Sequence, residues 1–422
     1  MNTTQLQPDD FSRRWYVLAS VAMGIFLGTI DGGIVNIALP TLTQEFNSTV
    51  GEIRWTVLAY MITVTALMLP VGYLGDKLGK KKIYNSGFII FTAASALCGF
   101  APTLGWLVFF RILQAVGAAM MTSLGMAIVT ENFPPAERGK ALGITGTMVS
   151  IGIIAGPTIG GFIVEHFNWR NIFFVNIPIG IAGSVMAAKF IPERHHTHTH
   201  QSRSYGHILK NPALMLPLTT AFLFFAITAG LNFLLPFYLQ SVLAMSSSHS
   251  GMLMGILPVI LGAFAPISGL LSDKMGTRPI TITGSIVAFL GFLILIFLSP
   301  TTKTLWVVAM LVPSSIGLAL FQTANNSAIL SAVPRHQTGI TSSFVGFSRT
   351  LGFAAGVGMF SSLLSLNLEA SHQSLSNHNL PPEVLFSALH SVIIVIAVVS
   401  AVAAFTGFAS AKLSTKHKEQ QP

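Results

Sequence analysis

The sequence predicts an all-α polytopic membrane protein, and three observations carry that reading. Of its 422 residues, 52% are hydrophobic and only 9% are charged, where a soluble domain carries about a quarter charged. Mean hydropathy is +0.69, more apolar than a water-facing surface of this size tolerates. The apolar residues fall in long runs, not in the apolar–polar alternation over about ten positions that a transmembrane barrel strand needs. Soluble enzymes, nucleic-acid readers and disordered scaffolds are excluded on these grounds.

A helix crosses a hydrocarbon core of about 30 Å with about 20 residues. Cutting the chain at charges, Pro/Gly turns and polar clusters gives twelve spans, at 15–39, 53–75, 83–101, 104–130, 140–164, 171–191, 213–240, 250–272, 279–299, 304–332, 339–366 and 384–411. Arg13 and Arg14 precede the first span as they would a secretory leader. That run extends to Pro40, lacks a small-residue cleavage site and is followed by many like it, so it reads as a first transmembrane helix. Basic residues set the orientation. With the N-terminus inside, the cytoplasmic segments hold 18 of the 23 Lys and Arg; outside lie Arg54, Arg170 and Lys303, and within helices Arg111 and Arg349. Both termini are expected in the cytoplasm, in a monomer of the cell membrane. The net charge of +9 is thus scattered over connecting segments rather than gathered on a nucleic-acid-binding face.

Residues 192–212 are polar and separate an N-terminal six-helix bundle, 1–191, from a C-terminal one, 213–411, followed by a tail, 412–422. The linker holds His195, His196, His198, His200 and His207. They are open to two readings, a metal-sensing tract or a solvated linker. Ordering exposed histidines around an ion costs conformational entropy, which favours the linker. Cys98 is the lone cysteine, so no disulfide framework or cysteine metal site arises. No metal or cofactor is expected.

The two bundles repeat each other. GYLGDKLGKKK at 72–82 returns as GLLSDKMGTRP at 269–279, an offset of 197. Asn36, Leu39, Pro40 and Gln44 match Asn232, Leu235, Pro236 and Gln240 at 196, and Gly117, Gly139, Gly146, Gly152 and Gly156 match Gly317, Gly339, Gly346, Gly352 and Gly356 at 200. Common order and near-constant spacing mark two homologous halves related by a pseudo-twofold axis, the layout of alternating-access carriers.

Four motifs carry a family resemblance over nearly the whole chain. Gly72, Leu74, Asp76, Lys77, Gly79, Lys80 and Lys81 fulfil G-x-L-x-D-[RK]-x-G-[RK]-[RK], which resembles the signature of the major facilitator superfamily. GIIAGPTIGG at 152–161, with Gly152, Gly156, Pro157, Gly160 and Gly161, is similar to the antiporter signature G-x-x-x-G-P-x-x-G-G. DGGIVNIALP at 31–40 and WRNIFFVNIPIG at 169–180 resemble the drug:proton antiporters of the fourteen-helix type. The resemblance implies the major facilitator fold and proton-coupled efflux. One departure is plain: 192–212 leaves no room for the extra helix pair of the fourteen-helix members, so a twelve-helix relative is expected.

Asp31 is the sole acid well inside a span, about 24 Å along the helix from Trp15 at 1.5 Å per residue. Its repeat counterpart is Ile227, so the fold does not require an acid there. A charge in the bilayer costs about 3 kcal/mol or more and marks a functional residue by default. Proton or substrate coupling stands beside a structural, hydrogen-bonding role. Arg111, whose counterpart is Leu311, lies at comparable depth. Its surroundings resemble the superfamily's R-x-x-Q-G, with Gln114 kept and Ala115 replacing the first Gly position. Burial disfavours a charged carboxylate and a nearby cation favours it, which suits a proton switch; a fixed ion pair is the other reading. Arg349, with Val149 as counterpart, is read near the midplane, binding an anionic group or compensating a helix C-terminus. Asn36, Asn232, Gln322, Asn325 and Asn326 are candidates for a substrate cavity, along with Gln114, or for interhelical hydrogen bonds.

In the 72–82 loop, Asp76 is placed to dock on the N-terminus of the eleventh helix, and Lys80 or Lys81 to pair with Glu131. The resemblance implies that such contacts latch an inner gate. The second loop keeps Asp273 and Arg278, but Ser331 replaces the counterpart of Glu131, so its latch is expected to be weaker. The glycines and Pro157 of 152–161 allow close packing and a bend, an exporter's hinge by resemblance. The leading reading is a secondary transporter, not an enzyme: a proton-coupled exporter of small amphipathic compounds or drugs. A uniporter or metabolite exporter and a transporter-like receptor without turnover are the alternatives. No G-x-x-x-x-G-K-[ST] occurs, which argues against ATP-driven transport by this chain.

Overall fold

The computed structural model describes residues 13–134, 137–193, 212–333, 338–370 and 381–418. The linker histidines and the last four residues lie outside the described residues. Every element in the described part is helical: α1 (Arg14–Glu45), α2 (Val50–Ile53), α3 (Trp55–Leu78), α4 (Lys80–Gly99), α5 (Leu104–Asn132), α6 (Arg138–His166), α7 (Asn171–Phe174) and α8 (Asn176–Phe190). There follow α9 (Pro212–Phe237), α10 (Ser247–Met275), α11 (Thr277–Ile294), α12 (Thr304–Ser331), α13 (Thr338–Ala370) and α14 (Pro382–Lys418). Among the described residues, 11 helices are long and apolar enough to cross a membrane. The 20-residue α4 completes the twelve, with Lys80, Lys81 and Lys82 in its first turn. Large apolar side chains such as Phe100, Phe297, Leu305 and Phe405 are 71–77% exposed, which is stable only against lipid.

Two expected boundaries shift. Pro40 was read as the end of the first span, but α1 runs through it to Glu45. Proline is tolerated within a membrane helix, where it frees one backbone carbonyl, here that of Asn36 four residues earlier, without ending the helix. The sixth span, expected at 171–191, is broken near Val175 into α7 and α8. α8 therefore begins on Asn176.

The helices gather into two compact units, the first from 1–38 and 55–199, the second from 39–54 and 200–422. Residues 39–54, the end of α1 and all of α2, thus group with the second unit; Arg54 Nη1 donates to Ser362 Oγ of α13 at 2.7 Å. Within the first unit α5 packs on α3 and α4, and α4 on α8; within the second α12 packs on α10 and α11, and α9 on α13 and α14. The first unit's core includes Leu27, Tyr84, Phe88, Phe91, Met121 and Ile128.

The repeat is also legible in backbone geometry. Gly79 has φ +96° and Gly276 φ +85°, at the matching offset, where each caps the next helix. An L side chain is strained there, and glycine is not.

The 152–161 glycines form a seam on α1. A Cβ at Gly156 would lie 2.9 Å from Gly33 Cα and from the Ile30 carbonyl oxygen, and one at Gly160 would lie 2.7 Å from Ile37 Cγ2. Gly352 and Gly356 repeat this closeness against α9, at Phe222 and Ala226. Because the opposing atoms at Gly156 are backbone, the seam cannot yield by a rotamer change. Gly156→Val is expected to cost at least about 1–3 kcal/mol by overpacking and to lower the apparent melting temperature in detergent. Gly146→Ala, with nothing within 4 Å, is expected to leave it unchanged. Equal melting temperatures for the two variants would contradict this account of the motif.

Candidate functional site

α1 carries Asp31 17 residues beyond its start at Arg14, and neighbouring helices of the first unit converge on it. Its carboxylate is 0% exposed and Arg111 of α5 is 1% exposed. Arg111 Nη1 donates to Asp31 Oδ2 at 2.5 Å. Gln114, one turn along α5, donates from Nε2 to Asp31 Oδ1 at 2.8 Å, and Asn176, at the start of α8, donates from Nδ2 to the same oxygen at 3.0 Å. Both carboxylate oxygens are thereby occupied. Such a buried charge is tolerable only with this degree of pairing.

A second ring of groups orients those donors. Gln114 Oε1 accepts from Arg111 Nη1 at 2.6 Å, while Gln114 Nε2 also reaches Ser95 Oγ of α4 at 2.6 Å. Arg111 Nε donates to the Thr56 carbonyl of α3 at 3.1 Å. The guanidinium lies over the Tyr60 ring, 4.1 Å from its centroid, a cation–π contact strengthened by desolvation. Cys98 Sγ, 3.9 Å from Gln114 Oε1, closes the cluster as a weak donor. Asn176 Oδ1 is buried with no hydrogen-bond partner among the described residues. Five helices, α1, α3, α4, α5 and α8, thus meet on one carboxylate. Among the described residues, Arg111 is the cation that pairs with it.

Asp31 and Arg111, expected at similar depth, are brought into contact. Gln114, expected to line a substrate cavity, instead lies fully buried in the carboxylate cluster. Asn325 is likewise buried and donates to the Pro217 carbonyl of α9 at 3.2 Å, as interhelical glue. Asn36, Asn232, Gln322 and Asn326 are half-buried; the Asn36 Oδ1 atom has no hydrogen-bond partner among the described residues. Arg349 is exposed and sits about 8 Å before the middle of α13 at 1.5 Å per residue. Thr56, Tyr60, Ser95 and Asn176 are not singled out by the sequence, and Cys98 stands out there only as the lone cysteine. Asn176 lies inside WRNIFFVNIPIG, and that motif was the available signal.

At the other end of α3, Lys80 Nζ bridges Asp76 Oδ1 at 3.1 Å and Glu131 Oε1 at 2.6 Å. Of the two lysines considered, Lys80 makes the pair. Burial lowers the Lys80 pKa, but the hydrogen bonds and charges of Glu131 and Asp76 outweigh it and hold it above the usual lysine range. The bridge's lysine contribution is therefore complete below the ordinary lysine pKa and is lost only as pH rises through the raised one. The second unit has Thr277 at the counterpart of Lys80, and Ser331 Oγ turns back to its own helix at Ser327. Among the described residues Asp273 makes no ion pair, and no such bridge forms there. The α13 start expected to receive Asp76 adjoins residues 334–337, outside the described residues, and Gly72 and Lys77 take no part in the bridge.

Comparison with known proteins gives the same frame. The description of the Major Facilitator Superfamily matches residues 21–357. The chain is 35% identical to the riboflavin transporter RibZ of Clostridioides difficile, over 87% of this chain and 91% of that protein. It is 27% identical to the multidrug transporter protein MdtP of Bacillus subtilis, over 84% of this chain and 76% of that one. In fold it is similar to a bacterial homologue of the human lysosomal transporter Spinster, solved inward-facing and unoccupied, with a TM-score of 0.79, 18% identity, and coverage of 98% of this chain and 99% of that one. A multi-pass membrane transporter rather than an enzyme, this chain belongs to the Major Facilitator Superfamily.

Proposed function

We propose that the protein exports small amphipathic compounds in exchange for protons, with Asp31 as the proton-binding group. The observation that carries this is a fully buried carboxylate whose cluster ties five helices of one unit together. The repeat supplies no second acid, since Ile227 stands at the matching position. Protonation of Asp31 neutralises the carboxylate, breaks the ion pair and leaves the charged Arg111 held by Gln114 Oε1, the Thr56 carbonyl and the Tyr60 ring. The grip of α5 on α1 is then weaker, which couples the proton to the arrangement of these helices. Substrate binding to the state with charged Asp31 disfavours protonation, and protonation disfavours that state; the reciprocity is thermodynamic. The Asp76–Lys80–Glu131 bridge acts in this reading as a latch at the cytoplasmic end of the first unit, and the glycine seam keeps α6 close to the helix that bears Asp31.

The relatives support export of drug-like compounds, and RibZ favours a second reading in which the substrate is a polar heteroaromatic like riboflavin. Both readings meet one test. Purified protein in proteoliposomes carrying a pH gradient is offered riboflavin and cationic dyes. Accumulation against a concentration gradient, abolished by a protonophore, is the expected result. Transport that equilibrates the compounds with no response to the pH gradient would make the protein a uniporter.

A further inference from the structure

α13 presents a cation for which helices α9 to α14 offer no counter-charge away from their ends. Among the described residues Arg349 makes no hydrogen bond or ion pair. No Asp or Glu occurs in α9, α11 or α12, and those of α10, α13 and α14, namely Asp273, Glu369 and Glu383, stand within about one turn of a helix end or, for Glu383, in the first turn. Arg349 is exposed, 11 residues beyond the start of α13 at Thr338. Charges within membrane spans face a bundle interior or a water-filled cavity, because hydrocarbon does not solvate them. An accessible guanidinium at that depth therefore belongs on the wall of a water-filled opening. One turn further along the same helical face, Phe353 meets Phe225 of α9 edge to face, with centroids 5.4 Å apart; both rings are half-buried. Gly352 brings the backbones close there, since a Cβ would lie 2.7 Å from the Phe222 carbonyl oxygen. A forked cation thus shares a helical face with one ring of a half-buried aromatic pair. An unpaired intramembrane charge of this kind is a ligand site by default, and its planar fork matches the two oxygens of a carboxylate or phosphate.

We infer that Arg349 is the anion-binding element of the substrate site, and that the protein binds small aromatic molecules bearing a carboxylate or phosphate. The ring would rest on Phe353 and Phe225, and the acid group on the guanidinium. The inference rests on the transporter reading only in that a substrate exists; it names that substrate's class and is independent of proton coupling.

The test uses the full chain in nanodiscs of neutral lipid, without a pH gradient, so failure of the coupling reading leaves the result unaffected. Riboflavin and flavin mononucleotide serve as probes, because they share a ring system and differ by one phosphate. Wild-type protein is expected to bind the phosphorylated flavin more tightly. Arg349→Gln should weaken that binding about ten- to a hundredfold, the range for a charge-assisted hydrogen bond, and leave riboflavin unchanged. If Arg349→Gln binds neither probe, Arg349→Lys is read instead, since it keeps the charge and loses the fork. Weakened binding of the phosphorylated flavin with intact riboflavin binding then supports the inference, and unchanged binding overturns it. Equal affinities of the wild-type protein for the two probes, or an Arg349→Gln protein that keeps the preference, also overturn it.

Discussion

Asp31→Asn is expected to abolish uphill export while leaving the protein inserted and able to equilibrate substrate across the membrane. Asn preserves the shape of the side chain. Its oxygen can still accept from Arg111, and its amide can meet Gln114 after reorientation. What it cannot do is exchange a proton, so a pH gradient has no handle on the helices gathered around it. The measurement is accumulation in proteoliposomes with an imposed pH gradient, compared with counterflow in its absence. Loss of accumulation with preserved counterflow is the expected pair of results. Accumulation by the mutant with an unaltered response to pH would remove Asp31 from the coupling step.

Arg111→Gln is expected to have the largest effect on stability. Removing one partner of a buried pair leaves an uncompensated charge, at a cost of about 3–5 kcal/mol. Here the loss is compounded, because Arg111 also holds Gln114, the Thr56 carbonyl and the Tyr60 ring. The carboxylate can escape part of the cost by taking up a proton, so the mutant should be more stable at low pH than at high pH. Adding Asp31→Asn to Arg111→Gln should recover part of the loss. The double-mutant cycle, read as apparent melting temperature, is therefore expected to be strongly non-additive. Strict additivity would mean that the two side chains act through separate partners, contrary to the contact between them.

The fold was legible because membrane burial imposes a coarse rule, about 20 apolar residues per crossing, and because the repeat aligns Gly79 with Gly276 and Gly152 with Gly352. The contact of Asp31 with Arg111 was within reach for a related reason: charges inside spans are rare, and depth can be counted along a helix. Polar neutral residues gave no such signal. Ser95, Thr56 and Asn176 are separated from Asp31 by up to 145 positions, and a lone Ser or Asn in a membrane helix reads equally well as glue. Gln114 shows the same ambiguity, since its position one turn from Arg111 fixed its face of the helix but not what that face meets. Proline misled at position 40, where its missing N–H signals a stop in water but α1 continues through it to Glu45. The choice of Lys80 over Lys81 for Glu131 needed the rotation of α4 about its axis, which two adjacent lysines do not reveal. Thr277 in place of Lys80 was readable from the repeat; its meaning emerged only once Lys80, rather than its neighbour, was seen to make the bridge.

The central claim is that substrate and proton compete through Asp31. The most direct measurement is proton release on substrate addition to purified protein in weakly buffered detergent solution, with no membrane and no gradient. Wild-type protein should release protons on addition of a transported compound, and Asp31→Asn should release none while still binding the compound. Proton release by Asp31→Asn equal to that of the wild type would contradict the account.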